Sequence, residues 1–354
     1  MNYEINDKRV IGDFKKITFS KFEKNKAKRE LISCLASGKI EAACYWSAEF
    51  ICSGHFSDLW ETIIEFVSRY IHLGNPKLPI YIAMRFENFK TIVCNGYLDN
   101  DLRLRNNPKI RTIFAEIISV LCLSRKKHIF MPIKIKKMEE FDMTHLASKL
   151  KAPSLEYCKE IFQDDDPNEF FIPINELSYH ISSQSKNVVN ACYWMEWILE
   201  YEKICRNKNE KCICARRTFK SVNDKYQLEP IWMIWDILIK QCNLRNNPIM
   251  NKILDALITI FCIKYTPGVK RKRRFLIYFA IALLTETVDL NFEIVSNHDN
   301  VSKTVNNINI IYKEIKKNEI SPKTDYLFNG TPSISNLDKT IARLEKMDSL
   351  MKIP

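Results

Sequence analysis

Residues 104–123 read LRNNPKIRTIFAEIISVLCL, and residues 244–263 read LRNNPIMNKILDALITIFCI. Each stretch opens with Leu-Arg-Asn-Asn-Pro and continues as an apolar segment of helical spacing that contains a cysteine near its end. An asparagine before a helix can accept hydrogen bonds from free backbone N–H groups, and proline suits the first helical turn. The two stretches therefore predict two long helices that begin in the same way.

Two further landmarks repeat in the same order along the chain. Residues 43–46 (Ala-Cys-Tyr-Trp) return at 191–194, and Pro79-Ile80 returns as Pro230-Ile231. Ordered repetition of this kind indicates that one helical unit was copied and then diverged. The sequence thus predicts an all-α fold of two tandem diverged helical-bundle units, with a helical connector and a C-terminal helical tail.

Composition supports helices rather than sheets. The chain has 354 residues but only seven glycines, and tight β-turns depend on glycine. Apolar periodicity predicts helices at 40–52, 56–71, 78–89, 108–123, 153–162, 188–201, 229–241, 248–265, 274–286, 301–317 and 336–352. One short strand is a candidate at 130–135.

The same pattern divides the chain. The predicted parts are an N-terminal extension at 1–25, a first helical unit at 26–135, a connector at 136–171, a second helical unit at 172–290, and a C-terminal helix, loop and terminal helix at 291–354. The amphipathic tail is expected to cap the second unit or, in the alternative, to await a partner.

The twelve cysteines bear on the compartment of the protein. Most of them lie in apolar helical stretches, and the first residues, 1–7, are polar. Free buried thiols in an intracellular protein are therefore expected. The longest uncharged apolar run, 275–284, is about half the ~20 residues of a membrane span, so no membrane attachment is predicted.

A metal site and an active site were the next possibilities. Cys205, Cys212 and Cys214 lie close in sequence, but zinc sites favour paired short spacings with nearby histidine, so no metal or other cofactor is predicted. Nucleotide-binding glycine loops, nucleophile elbows and metalloprotease motifs are also missing from the sequence. The chain is therefore predicted not to be an enzyme.

Basic clusters give the sharpest functional indication. The chain carries a formal net charge of +12, and each long helix is followed by a run of cations. The candidate polyanion-binding residues are Arg125, Lys126, Lys127, Lys270, Arg271, Lys272, Arg273 and Arg274. If the two units superpose, these runs form paired positive patches able to bind phosphates. The alternatives are solvated loops or, for the second run, a localisation signal.

The repeated Leu-Arg-Asn-Asn-Pro motif has two interpretations. In the first, Asn107 and Asn247 cap the helices that follow them. In the second, Arg105 and Arg245 bind an anionic ligand near the positive N-termini of those helices. The six tryptophans, all in helical stretches, are expected mainly in the core, with a base-stacking groove as the alternative.

Three stretches carry a family resemblance: ACYWSAEFICSGHFSDLWE at 43–61, residues 104–127, and NINIIYKEIKKNEISPKTDYLFN at 307–329. In these the chain resembles a family of proteins from nucleocytoplasmic large DNA viruses of mimivirus and phycodnavirus type. The resemblance implies a protein made in an infected host cell, located in the cytoplasmic virus factory or the virion. The shared motifs encode no known chemistry, so no site residues are carried over.

Two functions follow as predictions. The first is a non-enzymatic helical adaptor or scaffold that binds other viral or host proteins through grooves between its helices. The alternative is a nucleic-acid-binding factor in viral replication or transcription that uses the paired basic clusters.

Overall fold

The computed structural model describes residues 3–320 except 98–100, 137–138, 142–145, 211, 220–221 and 292. In these ranges it contains twelve α-helices and no β-strand beyond an isolated bridge between Ile17 and Glu23. The prediction of an all-α fold is confirmed. The helices are α1 (Lys24–Ala36), α2 (Ile40–Cys52), α3 (Phe56–Phe66), α4 (Leu78–Cys94), α5 (Pro108–Leu123), α6 (Phe171–Ile181), α7 (Val188–Asn207), α8 (Ile231–Leu244), α9 (Pro248–Cys262), α10 (Val269–Lys272), α11 (Arg274–Thr285) and α12 (His298–Lys316).

Two predicted elements are wrong. The expected helix at 153–162 is reduced to the short 3₁₀ helix Glu156–Cys158. The candidate strand at 130–135 has no strand partner in the described chain, because its backbone bonds elsewhere. The amide of Phe130 donates to the carbonyl of Arg69 at 3.1 Å, and the amide of Ile133 donates to the Tyr278 hydroxyl at 3.0 Å.

The long repeated helices begin with asparagine caps. The Oδ1 atom of Asn107 accepts from the amides of Lys109 and Ile110, at 2.9 and 3.3 Å. The Oδ1 atom of Asn247 accepts from the second and third amides of α9 at 3.0 and 3.2 Å. Each cap satisfies N–H groups that the first helical turn leaves free. The motif therefore fixes where α5 and α9 start.

The two halves interlock rather than standing apart. Helix α4 of the first half packs against α9 of the second half as well as against α5. Helix α12, the first part of the tail, packs mainly against α5 and α2, so it closes over the first half and not over the second. The predicted loop and terminal helix of the tail lie outside the described residues.

The two halves share sequence landmarks, but their long helices have different surroundings. Helix α5 packs mainly against α12, α2 and α4, whereas α9 packs mainly against α4, α11 and α8. The duplication stays a prediction, and it does not explain the packing of either helix.

The core is continuous and rich in aromatic rings and thiols. Five tryptophans are buried, and Trp46 alone of the six is only half-buried. All twelve cysteines are free and ten are buried. Among the described helices, none combines the length and apolar character needed to cross a membrane.

Candidate polyanion-binding surface

Helix α3 carries a row of acids on one face. Asp58, Glu61 and Glu65 are spaced by three and four residues, which places them on one side of the helix. Two lysines of α1 bind the ends of this row. The Nζ atom of Lys24 lies 3.0 Å from an oxygen of Asp58, and the Nζ atom of Lys28 lies 2.8 Å from an oxygen of Glu65. The row therefore neutralises part of the charge of α1.

The same acidic row also binds cations from two other segments. Arg273, at the junction of α10 and α11, forms an ion pair with Glu61. Arg69 lies in the π-helical turn Val67–Ile71 that follows α3, and its guanidinium is 3.3 Å from Glu65. The Nε atom of Arg69 donates to the carbonyl of Phe130 at 3.0 Å. The row thus joins α1, the second basic run and the segment that follows α5.

We name residues 124–136 (SRKKHIFMPIKIK) the basic strap. It contains five lysine or arginine residues and no acid. The described part of the strap is neither helix nor strand. Its amide at Lys127 donates to the carbonyl of Tyr70 at 2.9 Å, next to the bond from Phe130 to Arg69. The strap is therefore fastened along the turn that ends α3.

His72 packs against the basic strap and forms a hydrogen bond with it. Its ring is fully buried and stacks on the ring of Phe130, with centroids 4.0 Å apart. Its Nε2 atom lies 2.7 Å from the carbonyl oxygen of His128. Burial lowers the pKa of His72 to about 4, so near neutral pH the ring is uncharged and donates this bond.

The backbone beneath the strap is shaped for close approach. His72 has a φ of +31°, in the left-handed region that non-glycine residues seldom occupy. At Gly74 an added Cβ would lie 2.1 Å from the carbonyl oxygen of Arg125. Only glycine therefore allows the strap to lie this close to the turn.

The strap cations differ in their availability. Arg125, Lys127 and Lys134 are exposed and have no acidic partner in the part of the chain that the structure describes. Lys126 is half-buried, because its Nζ donates to the carbonyl of Cys122 at the end of α5. Lys136 lies 3.4 Å from an oxygen of Glu139 on the surface. Three cations therefore remain open for an anion.

The second basic run is largely engaged inside the protein. Lys270 is only 1% exposed, and its Nζ lies between Glu202 and Glu229, the latter at 2.7 Å. Arg273 is 4% exposed. The expectation of one solvent-facing patch at 270–274 is therefore wrong for these two residues, since they neutralise the buried Glu202 and the half-buried Glu229 and Glu61.

The remaining members of that run lie nearer the surface. Arg271 contacts Glu200 at 3.5 Å, and Arg274 contacts Glu196 at 3.1 Å. Burial raises the pKa of Glu196, and the Arg274 guanidinium opposes that shift. Lys272 is exposed and, within the described residues, has no carboxylate partner. Only Lys272 of the five is open for phosphate.

The motif arginines bind helix ends rather than facing solvent anions. Arg105 is buried and donates to the carbonyl of Cys52, the last residue of α2, at 3.4 Å. Arg245 donates to the carbonyls of Ile181 and Leu284, both at 2.9 Å, at the ends of α6 and α11. A cation at a helix C-terminus stabilises the free carbonyls there.

Of the three cysteines at 205–214, Cys205 and Cys214 are buried and Cys212 is half-buried. Burial raises the pKa of Cys214 to about 12 and also raises that of Cys212, so both side chains are neutral thiols near pH 7. Among the described residues no three His, Cys, Asp or Glu side chains are placed to hold an ion.

The sequence interpretation missed the acidic row of α3, although its spacing was a usable signal. Its partners, by contrast, come from remote segments, and nothing local predicts them. Comparison with protein family models, with curated proteins and with solved structures finds no match to this chain.

Proposed function

We propose that this chain binds a polyanion, nucleic acid in the first instance, through the basic strap. The observation that carries the proposal is the set of three exposed, unpartnered cations, Arg125, Lys127 and Lys134, on a segment without acids. Phosphate contacts gain free energy by releasing condensed counterions, and they need no enclosed pocket. The net charge of +12 supports the same reading.

The acidic row of α3 strengthens the proposal instead of opposing it. Its three carboxylates would repel phosphate if they were free. They are matched by cations from α1, from the turn after α3 and from the junction of α10 and α11. The surface next to the strap is therefore close to neutral, and the field of the strap is not cancelled.

The test is a salt titration of binding to labelled duplex DNA. The variant Arg125→Gln/Lys127→Gln/Lys134→Gln removes the three open strap charges. We expect the slope of log affinity against log salt concentration to fall by about 2 to 3. The control removes the same charge from three exposed lysines of α9 and α12 that have no carboxylate partner among the described residues: Lys252→Gln, Lys303→Gln and Lys313→Gln. Equal weakening by both variants would show that net charge alone acts and would refute the strap as the site.

A second candidate function is the protein adaptor, favoured by an apolar groove between α2 and α12. The groove has a volume of about 510 Å³. It is lined in part by Ile40, Tyr45 and Ile310, and Ile310 is 58% exposed. An apolar stripe on a helix of another viral or host protein would suit such a groove.

Affinity capture from nuclease-treated infected cells separates the two candidates. An adaptor retains its partners after nuclease and loses them when Ile310→Glu places a charge in the groove. A nucleic-acid-binding protein loses its partners to nuclease and is indifferent to Ile310→Glu. The infected cell, its cytoplasmic virus factory and the virion stay proposals for where this binding takes place.

A further inference from the structure

Residues 15–29 (KKITFSKFEKNKAKR) form a second basic surface, which we name the basic hairpin. Ile17 bridges Glu23, and the amide of Thr18 donates to the carbonyl of Phe22 at 2.8 Å. The chain reverses at Lys21, which has a φ of +66°, and then enters α1. The result is a tight turn joined directly to a helix.

A buried carboxylate fixes this turn. Glu49 of α2 is fully buried, and its oxygens accept three hydrogen bonds from the turn. The donors are the Thr18 hydroxyl at 2.7 Å, the Ser20 amide at 2.9 Å and the Ser20 hydroxyl at 2.5 Å. Because three donors of the turn end on one buried side chain of α2, loss of that side chain would leave these donors without an acceptor. The residues that follow Ser20 are therefore presented outward in a set position.

The basic hairpin carries more open cations than the strap. Five of its cations are exposed and have no acidic partner among the residues described: Lys15, Lys16, Lys21, Lys26 and Arg29. Lys24 and Lys28 face the other way and bind the acidic row of α3. The segment thus carries five open cations against one exposed acid, Glu23, and its net charge toward solvent is positive.

An aromatic group lies within this positive face. Phe22 is 36% exposed, and its ring centroid lies 5.1 Å from that of Trp46 in an edge-to-face arrangement. Tyr45 continues the group, with its centroid 5.6 Å from Trp46. Trp46 is also the one tryptophan that is not buried. Phe22 is thus an exposed ring supported by the half-buried rings of Trp46 and Tyr45. A ring next to unpaired cations is a combination that binds single-stranded nucleic acid, because bases stack on the ring while phosphates meet the cations.

We propose that the basic hairpin and Trp46 form a contact site for single-stranded nucleic acid, with a base stacked on Phe22. A duplex is disfavoured there because its bases are already stacked on one another. The proposal rests on the polyanion-binding function and adds the preferred form of the ligand. A chain of contacts joins the two surfaces, since Lys28 and Arg69 share Glu65, and Arg69 reaches the strap at Phe130.

The test compares a labelled oligothymidylate with a duplex of the same length. Phe22→Leu keeps an apolar side chain but removes the ring. We expect it to weaken single-strand binding on the order of tenfold, with the salt slope unchanged, because stacking is not ionic. Lys15→Gln/Lys16→Gln/Lys21→Gln should instead lower the slope for single strands by about 2. Ile249→Ala, at an exposed apolar position on α9, is the matched control and should change neither quantity.

The outcomes separate this inference from the proposed function. If Phe22→Leu leaves the preference for single strands unchanged while the strap variant still weakens binding, the hairpin site is refuted and the strap stands. If the strap variant is silent while the hairpin variants act, the strap is refuted instead. Binding to phosphatidylserine vesicles that Phe22→Leu abolishes, with DNA binding intact, would overturn the hairpin proposal in favour of a membrane. Circular dichroism melting confirms that each variant is folded.

Discussion

Replacing Lys270 with methionine should strongly destabilise the protein. The ammonium group is 1% exposed and is the shared partner of Glu202 and Glu229. The Tyr265 hydroxyl also donates to Glu229 at 2.7 Å, and Arg206 lies 3.3 Å from Glu202. Removing one partner of a buried ion pair costs roughly 3–5 kcal/mol, because the remaining charge is left without a counter-ion. Because the Tyr265 hydroxyl and Arg206 still contact the two carboxylates, we expect a loss near the lower end of this range, at about 3 kcal/mol.

Urea unfolding followed by circular dichroism measures this cost. Lys272→Met is the matched control, since Lys272 lies in the same basic run but is exposed, and it should change the free energy of unfolding by less than ~0.5 kcal/mol. Adding Glu202→Met and Glu229→Gln to Lys270→Met should restore most of the loss, because no buried charge then lacks a partner. Equal effects of Lys270→Met and Lys272→Met would refute the buried role of Lys270.

Three further predictions concern pH, a helix cap and the hairpin anchor. The pKa of His72 is lowered from 6.5 to about 4 in the folded protein, so its contribution to stability is complete above pH 6.5 and is lost as the pH falls toward 4. The free energy of unfolding should fall by about 2 kcal/mol between pH 6.5 and pH ~5. The variant His72→Gln should remove this pH dependence, whereas His298→Gln, at an exposed position, should keep it. Parallel curves of unfolding free energy against pH for the wild type and both variants would contradict the role of His72. Asn247→Ala should lower the free energy of unfolding in urea by ~1 kcal/mol, whereas Asn247→Asp, which keeps the capping oxygen, should change it little. Equal losses in the two variants would argue against the cap. Glu49→Leu removes the acceptor of three donors and should speed protease cleavage within residues 15–29; an unchanged cleavage rate would show that the turn is held by other contacts.

Apolar periodicity predicted the helices well where the helix buries a wide face. Helices α2 and α5 were placed with the bounds that the structure shows. Helix α1 was missed because its lysines dominate its first turns, although Ala27, Leu31 and Leu35 mark a buried face at helical spacing. The helix predicted at 153–162 is wrong although Cys158 and Ile161 are buried, so a few apolar residues at helical spacing do not by themselves make a helix.

The candidate site was less predictable, since its energetics depend on contacts between distant segments. The run at 270–274 is typical of a solvent-exposed patch when only neighbouring residues are considered. The two acids that bind Lys270 are 68 and 41 residues away, and the acid that binds Arg273 is 212 residues away. The exposed cations of the strap, in contrast, required no remote partner, and the sequence identified Arg125 and Lys127 directly.

Helix α12 has a consequence for how the protein is made. It packs against α2 and α5, where Tyr312 is buried beneath the Arg111 guanidinium, 3.9 Å from the ring centroid. Arg111 and its hydrogen-bond partner Asn309 are 198 residues apart. During synthesis, α2 and α5 therefore emerge from the ribosome long before α12 is made. The apolar surface of α2 and α5 that Tyr312 covers stays exposed during most of translation. Nascent chains halted before α12 should accordingly be held by chaperones, and release should coincide with emergence of the last described helix.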